Sequence, residues 1–124
     1  MNSVKPMTIF WLVKTMPEWL AIKPKGKDGR FDFVEQTIKP ILGKYPGARL
    51  SFYDAEAFTA VCSDVMQWTV TDINQYSAMV EDLRETAFWD RYFQVLHIIP
   101  TVKDGYAEHY NEVSVGDQPS KAKS

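Results

Sequence analysis

Apolar residues along the chain follow strand-like and helix-like periods in turn. Short runs rich in β-branched and aromatic residues predict four strands, at 8–14, 48–55, 61–70 and 92–99. Helical spacing of apolar residues predicts two main helices, at 28–44 and 72–86. We expect Asp72 to cap the second helix, Pro40 to kink the first or begin a fresh turn, and Pro100 to close the last strand.

This order, β-α-β-β-α-β, predicts an α+β protein of the ferredoxin-like type, a four-stranded antiparallel sheet with two helices on one face. The first strand is apolar on both sides, with Ile9, Trp11 and Val13 pointing one way and Phe10 and Leu12 the other. Two helices cover one face only. We therefore expect the opposite face to bury itself against a second copy of the chain, as a homodimer with a dimeric α/β barrel.

Composition narrows the class of protein. The 124 residues suffice for one domain, which we place at 8–111, after an N-terminal lead at 1–7 and before a polar, disordered tail at 112–124. A net charge of −2 without a basic stripe argues against nucleic-acid binding, and no apolar run reaches the roughly 20 residues of a membrane span. The start lacks a signal-peptide pattern and the single cysteine cannot form an internal disulfide, so we expect a cytoplasmic protein.

His97 is the first candidate for catalysis, because histidine is the usual acid or base near neutral pH. It lies in the last predicted strand, where strict alternation places Val95 and Ile99 on the same face. A histidine of the core or of the dimer interface is the plainer interpretation. His109, in the segment 106–111 that could form one helical turn, could close a pocket mouth or lie on the surface.

Acidic residues gather at the end of the second strand. Asp54 and Glu56 stand beside Tyr53 there, and Asp64 can approach them across the predicted hairpin. Paired carboxylates raise one another's pKa, which suits proton transfer. A solvated hairpin end is the plainer alternative.

Aromatic residues near the sheet are candidates for substrate binding. Trp11, Trp68, Tyr53 and Tyr92 could line a flat apolar pocket for an aromatic compound, although core and dimer interface explain them equally well. Arg84, with the charged turn at 89–91, could bind an anionic group or tie the helix end to the last strand. No metal-ligand spacing, phosphate loop, catalytic triad or redox cysteine pair is present, so we expect neither metal nor cofactor.

Several segments together resemble the darcynin family of small bacterial proteins. They are the residues at 8–15, Pro17-Glu18-Trp19-Leu20, the run from Phe52 to Phe58, Ser63-Asp64-Val65, the run from Val80 to Phe93, Ile98-Ile99-Pro100 and Tyr106-Ala107-Glu108-His109-Tyr110. The resemblance covers about 8–110, with a longer and more basic stretch at Lys23–Gly29. It implies the dimeric α/β-barrel group, whose members include cofactor-free monooxygenases, haem enzymes, cyclases and isomerases, with the ligand in a cleft between sheet and helices. The family has no established activity, so no catalytic residue is carried over.

We therefore expect a cofactor-independent enzyme of monooxygenase, cyclase or isomerase type. It would act on an apolar or aromatic metabolite in that cleft, with His97, Asp54 and Tyr53 at the catalytic centre. The substrate would be bound by Trp68, Trp11, Tyr92, Arg84 and His109. Two alternatives remain open: a non-catalytic small-molecule-binding or accessory protein, and a haem or metal protein with His97 or His109 as the ligand.

Overall fold

The computed structural model describes residues 5–117. Four strands form one antiparallel sheet in the order β2-β3-β1-β4: β1 (Met7–Thr15), β2 (Ala48–Asp54), β3 (Asp64–Val70) and β4 (Phe93–Val102). The helices are α1 (Pro17–Leu20), α2 (Arg30–Phe33), α3 (Lys39–Lys44), α4 (Ile73–Arg84) and α5 (Gly105–His109). Both β3 and β4 run antiparallel to β1, which lies between them, so α4 is a crossover between two parallel strands. The predicted ferredoxin-like class is confirmed.

The ends of the chain are described only in part. Of the predicted lead and tail, 1–4 and 118–124 lie outside the described residues, and 112–117 contain neither helix nor strand. Within 5–117, no helix has the length and apolar character needed to cross a membrane.

One face of the sheet forms the hydrophobic core with the helices. Ile9, Trp11 and Val13 of β1 point to this face and are at most 3% exposed. Their neighbours on the same face of β3 are equally buried, because side chains directly opposite one another in an antiparallel pair share a face. The core is completed by residues from the other three strands, the helical segments and the turn after α4: Ala48, Met66, Trp68, Val70, Phe93, Ile38, Met79, Leu83 and Phe88.

The predicted helix at 28–44 is broken into three pieces. A π-helical segment at Val34–Ile38 separates α2 from α3, which begins at Lys39. Pro40 has no amide hydrogen to donate to the carbonyl four residues earlier, and the wider π turn coincides with this missing bond. The prediction that Pro40 begins a fresh turn is confirmed.

Two predictions about β4 are wrong. The strand continues through Pro100 to Val102, because β4 is an edge strand and can turn a missing donor away from the sheet. The register of β1 with β4 also shifts by one residue, so that Leu12 pairs with His97 while Val13 pairs with Val95. This β-bulge places Val95 toward the helices and His97 toward the opposite face, whereas strict alternation had placed them on the same face.

The third strand, β3, is shorter than predicted. It begins at Asp64, whereas the sequence pattern had predicted a strand from residue 61.

The open face of the sheet is the face turned away from the core. Among the described residues of its strands, it carries five apolar or aromatic side chains and one histidine. Phe10, Leu12 and Val65 are partly exposed, and Tyr53, His97 and Ile99 are exposed. The sheet register arranges four of them in one row across the strands, Tyr53-Val65-Leu12-His97. None of the six belongs to the core that the described residues form. The predicted two-sided apolar character of β1 is confirmed.

Gly47 joins the start of β2 to the start of α4. Its carbonyl accepts hydrogen bonds from the amides of Thr71 and Asp72, and its own amide donates to Gln75 Oε1 at 2.7 Å. Asp72 caps α4 as predicted, because its carboxylate accepts from the amides of Asn74 and Gln75. A Cβ at position 47 would lie 2.7 Å from the Asp72 Cβ and 2.9 Å from Gln75 Oε1.

We therefore expect Gly47→Ala to lower the free energy of unfolding by about 1–3 kcal/mol, because the added methyl group forces the cap of α4 apart. Urea denaturation with an unchanged m value measures this change. Gly43→Ala is the matched control, since a Cβ there meets nothing within 4 Å inside α3 and should stabilise by about 0.5–1 kcal/mol. Equal effects of the two substitutions would contradict the proposed crowding.

Candidate functional site

A cavity of about 800 Å³ lies between the sheet and the segment from α1 to α3. Strands β2 and β3 contribute Leu50, Phe52, Met66 and Trp68, and the helical side contributes Trp19, Phe33, Val34, Ile38 and Leu42. This is the place that the family resemblance implied, a cleft between sheet and helices. Its size and apolar lining are typical of a small-molecule site.

Large apolar side chains remain exposed among the residues that line the cavity. Leu20 is 58% exposed, Phe31 is 66% exposed and Phe52 is 46% exposed. Exposed apolar residues that cluster around a concavity are a common mark of a binding site. The basic loop at 23–29 contributes Pro24 to the lining. Arg30 follows this loop directly and joins it to α1, because its guanidinium donates hydrogen bonds to the carbonyls of Trp19 and Leu20.

Three carboxylates form the acidic part of the lining. Asp54 of β2 and Asp64 of β3 are direct register partners, and Glu56 follows β2. One carboxylate oxygen from each of the three lies within 4.8 Å of the others. Asp64 is only 3% exposed, whereas Asp54 and Glu56 are exposed. The predicted approach of Asp64 across the hairpin is confirmed.

Burial is the main cause that raises the pKa of Asp64 to about 6, and the neighbouring charges of Glu56 and Asp54 act in the same direction. The Ser63 hydroxyl, whose Oγ lies 2.7 Å from Asp64 Oδ2, lowers that pKa in part. Like charges directly opposite one another in a sheet cost stability. A carboxyl held in such an arrangement, at the wall of an apolar cavity, is a candidate for proton transfer near neutral pH.

The sheet separates the three residues predicted as catalytic. Asp54 lines the cavity, whereas Tyr53 and His97 lie on the open face. Tyr53 and His97 stand at opposite ends of one row that crosses all four strands, a span of roughly 14 Å at the usual spacing of strands. The structure therefore does not bring His97, Tyr53 and Asp54 together within one chain.

Of the aromatic residues predicted to bind substrate, Trp68 lines the cavity. Trp11 packs behind it with ring centroids 5.1 Å apart, and its Nε1 donates to Tyr76 Oη at 2.9 Å. Tyr92 packs against Trp19 and Phe33 and faces a smaller neighbouring cleft of about 280 Å³. Trp68 and Tyr92 thus line two different cavities, and Trp11 is part of the hydrophobic core.

Arg84 and His109 lie away from the cavity lining. The Arg84 guanidinium stacks over the Trp89 ring, 5.3 Å from its centroid. The His109 ring packs edge-on against Tyr110 in the segment after β4. Arg91, which stands in the predicted charged turn, pairs with Glu18 of α1 at 2.8 Å. The turn before β4 is therefore tied to α1.

Asp64 is the residue that the sequence did not single out as catalytic, although it was expected to approach Asp54 and Glu56. Its signal was present in the sequence, because Asp64, Met66, Trp68 and Val70 occupy alternate positions and share the buried face of β3. A carboxyl that continues an apolar alternation is unusual in a strand. No sequence pattern indicated that the segment from α1 to α3 would line the cavity. The positions of Trp19, Phe33 and Leu42 over the sheet depend on tertiary packing.

The family was identified by comparison with known proteins. The model of the darcynin family, described as a domain of unknown function, matches residues 1–118. The chain belongs to this family. A darcynin homolog of Granulibacter bethesdensis is 41% identical over 110 residues, which are 88% of this chain and 86% of that protein. A darcynin homolog of Streptomyces avermitilis is 40% identical over 105 residues, which are 85% of each.

Solved structures similar to this darcynin are distant in sequence and show the fold. A variant chlorite dismutase from Candidatus Nitrospira defluvii matches 94% of the chain with a TM-score of 0.63 and 9% identity. A haem-binding protein from Thermus thermophilus matches 90% with a TM-score of 0.62 and 12% identity. The darcynin chain spans about half the length of these two proteins. HapK from Hahella chejuensis is matched over 92% of this chain and 97% of its own, with a TM-score of 0.52 and 15% identity.

The lining of the cavity does not fit a haem group with a histidine ligand. Haem iron is usually held by histidine, cysteine, tyrosine or methionine. The residues that line the cavity within 5–117 include neither His, Cys nor Tyr, and Met66 supplies the thioether among them. Both histidines of the chain, His97 and His109, lie elsewhere.

The titration of Asp64 predicts how stability depends on pH. Its pKa in the folded chain, about 6, lies above the ordinary value of 3.8, so folding favours the neutral form. The resulting penalty is absent well below pH 3.8, where both states are protonated, grows as the pH rises from 3.8 to about 6, and is complete above that. We expect Asp64→Asn, which imitates the neutral acid, to raise the free energy of unfolding at pH 8 by on the order of 2 kcal/mol.

Urea denaturation of both proteins from pH 4 to pH 8 measures this difference. The gain from Asp64→Asn should shrink toward zero at pH 4. Glu81→Gln on the exposed side of α4 is the control and should leave the pH dependence unchanged. A difference between Asp64→Asn and the unsubstituted protein that stays constant with pH would refute the raised pKa.

Proposed function

We propose that this darcynin is a cofactor-independent enzyme that transfers protons on an apolar or aromatic small molecule bound in the cavity. Asp64 is the acid or base. The observation that carries the proposal is a buried carboxyl, paired across the sheet with Asp54, at the acidic part of a mainly apolar cavity. A carboxyl whose pKa is near 6 is present in both forms at neutral pH, so it can accept a proton and return it.

The lining defines the class of substrate. Aromatic and aliphatic side chains suit a flat or branched apolar body, with Trp68 on the sheet side and Trp19 and Phe33 on the helical side. The carboxyls suit a hydroxyl, enol or activated C–H group at one end of that body. Isomerisation of an enolisable compound needs only proton transfers. In a cyclisation the carbanion that proton abstraction leaves attacks a carbonyl carbon of the same molecule, and the resulting alkoxide takes up a proton. A cofactor-free monooxygenase can begin with the same proton abstraction.

Neighbouring charged groups add to the effect that burial has on the pKa of Asp64. Asp54 and Glu56 oppose its ionisation, so it holds its proton to higher pH. Arg30 and Lys39 line the same cavity from the helical side, where they can counter negative charge that develops on a substrate. In this proposal Tyr53 and His97 belong to the subunit interface, and Trp68 binds the substrate.

A binding protein without catalysis is the second candidate, because the apolar lining alone is enough to hold a ligand. Proton transfer separates the two. Incubation in D₂O with a panel of enolisable aromatic ketones, followed by NMR, reports exchange of the acidic hydrogens, while line broadening of the same ketones reports binding.

We expect Asp64→Asn to reduce the exchange rate by at least about 100-fold and to leave ketone binding unchanged, because the amide cannot take up the proton. His97→Ala should retain exchange. Binding without exchange in the unsubstituted protein supports the binding protein, and exchange that survives in Asp64→Asn but disappears in His97→Ala sinks the assignment of Asp64. Glu81→Gln serves as the surface control.

We further propose a homodimer joined through the open face. Leu12, Phe10 and Val65 occupy neighbouring positions at its centre, and they lie outside the core of a single chain. Apolar surface of this kind is commonly covered by an identical surface across a two-fold axis. A cytoplasmic location is part of the same proposal, since the chain has a single cysteine, Cys62, and it is a buried free thiol.

Leu12→Arg places a charge at the centre of the open face and should therefore convert a dimer into a monomer. Sedimentation velocity at micromolar concentration measures the change. Ile73→Arg introduces the same charge on α4, at a residue that is 52% exposed, and should leave the dimer intact. A monomeric unsubstituted protein under these conditions would contradict the proposed interface.

A further inference from the structure

Ser63 occupies the point where β1 and the end of β2 both meet β3. Its amide donates to the Val13 carbonyl at 2.9 Å, and its own carbonyl accepts from the Ala55 amide at 2.9 Å. The side-chain Oγ accepts a further hydrogen bond from the Thr15 amide at 2.8 Å. Backbone contacts on two sides therefore hold Ser63 in place beside Asp64.

The hydroxyl of Ser63 has one hydrogen and two acceptors within reach. Asp64 Oδ2 lies 2.7 Å from Ser63 Oγ, and the Val13 carbonyl oxygen lies 3.2 Å from it. A hydroxyl donates once and has two lone pairs, of which the Thr15 amide uses one. The second lone pair is free to accept a hydrogen bond whenever the hydroxyl hydrogen points elsewhere.

These contacts match both protonation states of Asp64. When Asp64 is ionised, the Ser63 hydroxyl donates to its carboxylate. When Asp64 is protonated, its O–H donates to Ser63 Oγ, and the hydroxyl hydrogen turns to the Val13 carbonyl. In each state every donor has an acceptor, which matters because an unmatched polar group is costly when buried.

We propose that Ser63 is a positioning residue that rotates its hydroxyl between Asp64 and the Val13 carbonyl as Asp64 gains and loses its proton. This inference deepens the proposed function and rests on it for the purpose of the rotation. The rotation removes the need for water to enter the site when the proton moves. It also fixes the oxygen Oδ2 as the one that turns toward Ser63.

Charged groups from other elements face the same cavity and bear on the same titration. Asp54 and Glu56 approach Asp64 from β2 and from the turn after it. Arg30 and Lys39 line the cavity from the helical side, but Arg30 donates to two backbone carbonyls and Lys39 pairs with Glu35. Among the described residues, Ser63 is thus the side chain whose hydroxyl stabilises ionised Asp64.

The test follows the carboxyl carbon of Asp64 by ¹³C NMR as a function of pH. Ser63→Ala removes the donor to the carboxylate, so the titration midpoint should rise by roughly half a pH unit or more, a change of about threefold or more in the ionisation constant. Ser63→Thr keeps the hydroxyl and should restore the midpoint. Ser77→Ala on the exposed side of α4 is the control. A midpoint that is the same in Ser63→Ala and in the unsubstituted protein overturns the proposal.

Two further measurements keep the outcomes distinct. Should Ser63→Ala fail to fold, Ser63→Cys offers a weaker donor at the same position and should also raise the midpoint, and an unmoved midpoint again overturns the proposal. The pH profile of ketone exchange should shift with the midpoint. If the midpoint moves while Asp64→Asn retains full exchange, the role of Ser63 stands and the proposed function fails.

Discussion

The whole structure depends on a central strand that is apolar on both faces. β1 lies between β3 and β4, and its apolar residues alternate between the two faces of the sheet. Ile9, Trp11 and Val13 pack under the helices, whereas Phe10 and Leu12 face the other way. Burial of apolar area is the main favourable term in folding, so a strand of this kind requires cover on each side. The helices supply one cover, and the proposed second subunit supplies the other.

The division of the sheet into two faces also decides which chemical groups can meet. Neighbouring residues of a strand point to opposite sides, so Tyr53 and Asp54 are adjacent in the chain but serve different surfaces. On the helical side, Asp54 and Asp64 are direct partners beside an apolar cavity. The arrangement costs stability and keeps a proton available near neutral pH, a trade that is typical of a functional site.

Much of the fold could be predicted from the periodicity of the sequence. The β-α-β-β-α-β order, the cap at Asp72 and the fresh turn at Pro40 are all local features with local causes. The errors arose where tertiary context decides. The bulge beside Leu12 depends on how β1 and β4 align, and Pro100 is tolerated because β4 lies at the edge of the sheet. Less of the site could be predicted. The bulge places His97 on the open face, opposite to Val95, and so away from the cavity.

The sequence by itself determined the family, the alternation of strands and helices, and the acidic residues that meet across the β2–β3 hairpin. Those features follow from motifs, from side-chain periods of 2.0 and 3.6 residues and from short-range pairing. Only the tertiary structure decided that Asp64 is the buried acid, that Ser63 stands between it and Val13, and that the segment from α1 to α3 encloses the cavity. Burial and hydrogen-bond partners depend on residues far apart in the chain, and no local pattern records them.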